Sequence, residues 1–390
     1  MRRLAVVGVA VAVVLAGCGE GSGGQGDDGT IRILQLAPYQ SQNVSLPFMR
    51  TSAEAAVAAV NDAGGIDGKK LELIACNEKY DPNESVKCAQ EAVREKAAAV
   101  VGSLSSAGGQ ILPILQEGEV AVVGSNPNLP IDAQSPASFL LDGGTPGYAA
   151  MPIAAAKFRG AKKVVATMLD NSSVNENMHY LETGAKAAGV TIVSNVVIPA
   201  DAVDYSLYAQ RMVDSGADAV VGMASGPDFA LKLYNGLDAI DAQIKGVMSS
   251  NSYPQTVIDE AGPIANGTLL INGVPSADGS NEWGRQYVAE MAKYEPDEKV
   301  IGTVGLRSWA AVHLFAEVAR TIDGPVDSKS VWNAFNQTSC LDFMWLKCLN
   351  YTASGPLEEF PRVPAAASVV FLSEVVDGKI QARPSFNPYE

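Results

Sequence analysis

The side chains best suited to hold a small molecule are hydroxyls and amides placed where apolar runs end. Residues 97–101 read as a buried strand that runs into Gly102-Ser103-Leu104-Ser105-Ser106, after which a helix opens. In an open α/β sheet, ligands lie outside the carboxyl ends of the strands, where helix N-terminal N–H groups point outward. Ser103, Ser105 and Ser106 would add hydroxyls there with little bulk. Capping of the helix by serine is the competing reading. The design recurs at residues 120–126, 164–171, 219–225 and 247–251, which favours the ligand role and adds Ser125, Asn126, Asn171, Ser225 and Asn251. Tyr39 and Gln40 in the first loop and Trp309 near a later helix start offer aromatic or polar contact. Core packing is the alternative for Trp309.

Catalytic and metal chemistry find little support. His179 and His313 are the only histidines, both in helical patterns, and neither sits in a cysteine or carboxylate pattern with metal-ligand spacing. His313 faces away from the apolar stripe of Ala311, Phe315, Val318 and Ile322. There is no nucleophile elbow and no HExxH, and no spacing suggests a Ser–Lys or carboxylate mechanism. The stretch 21–26, GSGGQG, matches a dinucleotide fingerprint formally, but no strand precedes it and no helix closely follows. No metal, no cofactor and no enzymatic activity are expected.

The chain has 390 residues, enough for two ordinary domains, with 47% hydrophobic and 18% charged residues. Its net charge of −15 and the lack of a basic stripe beyond Lys69-Lys70 and Lys162-Lys163 argue against nucleic acid and anionic membrane surfaces as partners.

The beginning of the chain carries an address. Met1-Arg2-Arg3 is a positive n-region, residues 4–14 are an apolar h-region too short to span a membrane, and Leu15-Ala16-Gly17-Cys18 follows. This matches the bacterial lipoprotein signal, in which the thiol of Cys18 accepts a diacylglyceryl group and becomes the new N-terminus. Residues 1–17 are then the signal and 18–30 a Gly-rich lipid-anchored tether. The folded part lies outside the cell membrane, an oxidising place. Four further cysteines allow three connectivities, of which the local pairs Cys76–Cys88 and Cys340–Cys348 are the most economical.

From Ile31 the pattern alternates strand and helix. Strands are expected at 31–37, 71–76, 163–169, 191–197, 217–223 and 245–249, and helices at 283–294 and 305–322, among others. Asp81 caps a helix with Pro82 in its first turn. Residues 138–147 form the first crossover between lobes, residues 267–273 the strand before the return, and the late strand at 367–376 joins the second lobe. The path of 350–364 is not legible.

The run 61–71, NDAGGIDGKKL, resembles the motif after the first helix in the branched-chain-amino-acid class of periplasmic binding proteins. The Asp81-Pro82 helix start, the turn at Ser103 to Ser106 and the lipoprotein signal are similar too. The resemblance implies two doubly wound parallel-sheet α/β lobes joined by a three-segment hinge, here 31–144 plus 274–340 and 145–273 plus 341–390. It implies a monomeric solute receptor of an ABC importer that closes on a small molecule and serves a membrane permease and its ATPase. A ligand-sensing lipoprotein without transport, or a true aliphatic amino-acid receptor, are the alternatives.

In amino-acid-binding members, first-lobe hydroxyls and amides hold the ligand carboxylate, an acid meets its ammonium, and second-lobe aromatics help to close the site. The serines are present, but the threonine-containing stretch at the second loop is shortened. Val174 stands where a tyrosine is common, Ala224-Ser225-Gly226 where another aromatic is common, and Ser250-Asn251-Ser252 at the acid. Asp228, at a helix start, is the candidate replacement acid. An unpaired buried ammonium costs several kcal/mol, so a ligand without one is expected, either neutral and polar or a carboxylate.

Overall fold

Short, Val- and Ala-rich strands covered on both faces build this molecule, as parallel sheets require. A computed structural model describes residues 29–389 other than 42–43, 171–173 and 224–225. The signal, the tether up to residue 28 and the Cys18, Asn171 and Ser225 assignments lie outside the described residues, and Thr30, expected in the tether, already belongs to the first strand.

The chain opens with β1 (Thr30–Ala37), α1 (Phe48–Asp62), β2 (Lys70–Asn77), α2 (Pro82–Arg94), β3 (Ala99–Val101), α3 (Gly108–Glu117), β4 (Ala121–Val123) and β5 (Ser138–Phe139). The strands form a parallel sheet in the order β2-β1-β3-β4-β5. Ile31 and Ile33 pack under α1, while Leu34 and Leu36 face α2 and α3, the period-two alternation of a strand. The NDAGGIDGKKL run has a local physical reason. Asn61 brackets Leu71, its Nδ2 donating to the Leu71 carbonyl (2.9 Å) and its Oδ1 accepting from the Leu71 N–H (2.7 Å). Gly65 has φ +74°, and a Cβ there would fall 2.0 Å from the Lys69 carbonyl oxygen. Asp81 caps α2 as expected, accepting from the N–H groups of Asn83 and Glu84.

After a first crossover come α4 (Ala150–Arg159), β6 (Lys163–Leu169), α5 (Val174–Ala188), β7 (Thr191–Ile198), α6 (Ser206–Asp214), β8 (Ala219–Met223), α7 (Pro227–Ala239), β9 (Lys245–Ser249), α8 (Gln255–Ala261) and β10 (Leu269–Asn272). Helices α4 and α5 cover one face of the second sheet, and α6, α7 and α8 the other. The chain then returns with α9 (Glu282–Tyr294), α10 (Thr303–Ala319) and α11 (Ser328–Gln337), which complete the first lobe against α1.

The last quarter departs from expectation. The hairpin β11 (Leu341–Phe343) and β12 (Leu346–Leu349) packs into the first-lobe core through Phe343, Leu346 and Leu349. Residues 341–349 thus belong with the first lobe, because their buried side chains complete the surface of α10 and α11. The return follows at 350–369, and β13 (Val370–Val376) and β14 (Lys379–Phe386) extend the second sheet antiparallel, in the order β14-β13-β10-β9-β8-β6-β7. The path that could not be read runs along the open edge of β5. Tyr351 Oη donates to the Leu140 carbonyl (2.9 Å), and Arg362 donates from Nε to Ser138 (3.1 Å) and from its main chain to Ala133 (3.0 Å). This covers an otherwise unpaired strand edge.

Disulfides join Cys76 to Cys88 and Cys340 to Cys348. The first ties the end of β2 to α2 with a separation of 12 residues. The double change Cys76→Ala, Cys88→Ala is expected to lower unfolding free energy by about 2–3 kcal/mol in urea. A change within the error of the titration would show that the link constrains nothing.

Candidate functional site

Thirteen of the residues of α10 are buried, and Arg307 is the one charged side chain among them. It is tolerated because its Nε donates to Asp142 Oδ2 at 2.5 Å, with the two side chains 5% and 0% exposed. Asp142, in the first crossover, also accepts from the Gly144 N–H at 2.6 Å. Close backbone approach makes this corner possible. A Cβ on Gly273, in the second crossover, would lie 2.7 Å from the Asp142 Cβ. Gly144, at φ +52°, sits against Pro127 with no room for a side chain.

Around this pair lies an interlobe cavity, walled by apolar side chains and a few polar groups as small-molecule sites commonly are. The first lobe contributes Asn126, Asn128 and Arg307, and the second Tyr148, Ser249 and Asn251. The third crossover adds Leu357, Phe360 and Val363, which cluster with Ala367 and with Tyr180 of α5. Tyr148 Oη stands 3.5 Å from Ser249 Oγ, and burial raises its pKa. Tyr389 also lines the cavity, and burial pushes its phenol up to about 12. Among the described lining residues, Asp142 and Arg307 are the only carboxylate and the only cation, so their charges sum to zero.

Of the residues expected at the site, Asn126 and Asn251 line this cavity. Asn251 Oδ1 also accepts from Thr303 Oγ1 at 2.9 Å, a hydrogen bond between the lobes. The serine turn is committed elsewhere. Ser103 Oγ accepts from the Leu36 N–H (3.1 Å), and Ser125 Oγ from the Ser103 N–H (3.3 Å). Ser105 Oγ donates to Glu78 Oε2 (3.1 Å) and caps the Ala107 N–H (3.0 Å). Burial pushes the Glu78 carboxyl up, against bonds from Ser85, Tyr80 and Ser105. These hydroxyls lock β1, β2 and β3 together, so they do not serve the cavity, and half-buried Ser106 does not line it either. Gly102, at the start of that turn, has φ +54°, and a Cβ there would lie 2.7 Å from the Ser308 Cα.

Tyr39 and Gln40 stand away from the cavity. Tyr39 Oη donates to Gln35 Oε1 (2.8 Å), and exposed Gln40 bonds Asn77. Trp309 is a core residue, 0% exposed, its Nε1 donating to Glu290 Oε2 at 2.6 Å. The same carboxylate meets His313 at 3.0 Å. Burial would raise the Glu290 pKa, but the bonds from His313, Trp309 and Gln286 outweigh it and hold it low. Asp228 is not an acid of the site: its side chain is 83% exposed and pairs with Lys232 along α7. His179 pairs with Glu359 at 3.0 Å, joining α5 to the third crossover.

Sequence reasoning missed Arg307, Asp142, Tyr148 and Phe360. The one usable signal was an arginine inside a largely apolar helical stretch, 304–319.

The lobes also face each other at Asp132. Burial pushes its carboxyl up to about 6, against bonds from the Leu129 and Asn128 N–H groups, with Glu176 of α5 adding to the rise. A raised acid stabilises the fold fully below its unfolded pKa of about 4, and that contribution is lost as pH climbs through 6. Asp132→Asn is therefore expected to gain about 1–2 kcal/mol over the parent at pH 8, after allowing for solvent at this half-buried side chain, and nothing at pH 3.5. Parallel melting-temperature profiles across that range would refute the assignment.

Two α/β lobes enclosing a small-molecule cavity beside three chain crossings define a two-lobed binding protein. The chain belongs to the periplasmic binding protein family, an extracytoplasmic family whose sequence model matches residues 30–352. Solved structures share the fold. A leucine-binding protein from Thermotoga maritima aligns with TM-score 0.70 and 18% identity over 92% of this chain and 99% of that one. A branched-chain amino acid transporter substrate-binding protein from Streptococcus pneumoniae, in complex with isoleucine, gives 0.70 and 17% over 91% and 99%. An ABC-transporter solute-binding protein from Rhodopseudomonas palustris, in complex with 3,4-dihydroxybenzoic acid, gives 0.70 and 18% over 93% and 99%. No curated protein matches the chain by sequence. Among the described residues, no helix is long and apolar enough to cross a membrane, and no group of three side chains is placed to hold a metal ion.

Proposed function

We propose that this protein is the solute receptor of an ABC importer, held at the outer face of the cell membrane by a lipid on Cys18. It captures a small polar or carboxylate-bearing molecule in the interlobe cavity and presents it, as a monomer, to a membrane permease and its ATPase. The role is binding without chemical conversion. The observation that carries the reading is the cavity itself, walled by both lobes and all three crossovers, so that a bound molecule touches each moving part. A ligand that contacts both lobes stabilises the closed form over the open one, which is all that hinge closure requires.

The structural relatives support two ligand chemistries, an aliphatic amino acid and an aromatic acid. The balanced Arg307–Asp142 pair favours a ligand without an ammonium, since the described lining offers no other acid. The test is a thermal-shift screen against amino acids, amides, aromatic acids, dicarboxylates and sugars, followed by small-angle scattering with the hit. A ligand at one hundred times its dissociation constant adds about 2.7 kcal/mol of stability. A hit that leaves the scattering radius unchanged sinks the closure mechanism. For the anchor, metabolic labelling with palmitate is expected in the parent and absent in Cys18→Ser.

A further inference from the structure

We infer that Arg307 is the ligand anchor. Its Nη1 donates to an oxygen, carboxylate or carbonyl, of a molecule that lacks an ammonium and lays an apolar body on Leu357, Phe360 and Val363. The inference rests on the receptor reading above and specifies its ligand.

The Arg307 side chain lines the cavity and is almost wholly buried, yet Nη1 has no hydrogen-bond partner in the protein. A buried donor of this kind is rarely left unmet, and a guanidinium bond to a charged acceptor is stronger than one between neutral groups. Asp142 takes Nε and thereby fixes the guanidinium plane, which leaves Nη1 for the guest. Asp142 is therefore a positioning residue that acts through Arg307. It does not receive an ammonium: one oxygen holds the arginine, the other the Gly144 N–H, and its side chain is 0% exposed. The neighbouring amides are also engaged. Asn126 Nδ2 donates to Asn128 Oδ1 (2.6 Å), and Asn272 Nδ2 to Ser250 Oγ (2.7 Å). The apolar wall is contiguous, since Leu357, Phe360 and Val363 pack as one cluster.

The experiment compares four probes on the purified protein by calorimetry: 4-methylpentanoate, 4-methylpentanamide, leucine and benzoate. At least one ammonium-free probe is expected to bind at least tenfold more tightly than leucine. Preference for the acid over the amide identifies a carboxylate contact, and the reverse a carbonyl contact. Arg307→Lys retains a cation for Asp142 but loses the fork, and is expected to weaken the best probe at least tenfold. The double change Asp142→Leu, Arg307→Met removes both charges together, so it keeps the test open should the single variant fail to fold. Leucine binding as tightly as its desamino analogue, undiminished binding in both variants, or no binding of any probe each overturns the inference. The receptor reading survives those outcomes unless the wider library of sugars, dicarboxylates and amides also leaves the melting temperature unchanged.

Discussion

Asp142→Ala is expected to cost about 3–5 kcal/mol of stability, because it strands a buried charge. The change leaves the Arg307 guanidinium buried in α10 with its Nε partner gone and Nη1 already unmatched. It also releases the Gly144 N–H at the first crossover. An uncompensated buried charge is far more harmful than the loss of the pair as a unit. Asp142→Leu combined with Arg307→Met is thus expected to recover most of the deficit. Urea unfolding of the parent, both single variants and the double variant measures the coupling directly. Additive losses, with the double variant as unstable as the sum of the singles, would refute the pairing.

Trp309→Ala is expected to cost about 3–5 kcal/mol as well, for a different reason. The indole is fully buried between Tyr287 and His313, with ring centroids 5.8 and 4.6 Å away, and it donates to Glu290. Truncation leaves a void in the first-lobe core and removes one of the bonds that keep Glu290 ionised. Ligand affinity of the folded protein is expected to remain within about twofold of the parent, because Trp309 does not line the cavity. A tenfold loss of affinity with unchanged melting temperature would restore Trp309 to the site. Trp309→Phe separates the two contributions, keeping most of the volume while losing the donor.

The alternation of apolar runs and helical stripes determined, by itself, the α/β class and most strand positions. The bounds of β9 at Lys245–Ser249 agree with the reading residue for residue, and β1 begins one residue earlier. The Asp81-Pro82 cap, the glycines of the 61–71 turn and the two local disulfides were equally legible. Each is a short-range device in which a few neighbouring residues state their own geometry.

The binding cavity was not legible in this way, because its parts meet only across long separations. Asp142 and Arg307 lie 165 residues apart, and each is unremarked alone: an acid in a Gly-rich crossover and an arginine in a helix. Phe360 belongs to a stretch without periodicity whose path is set by bonds from Tyr351 and Arg362 to the carbonyls of Leu140, Ser138 and Ala133, which no local rule foretells. The serine turn shows the converse case. Its residues have the right types for a ligand, but three-dimensional packing brings Leu36, Glu78 and Ala107 to those hydroxyls first. Local sequence specifies what a side chain can bond to. Only the tertiary structure decides which partner arrives, because a hydroxyl satisfied within the protein has little left to offer a guest.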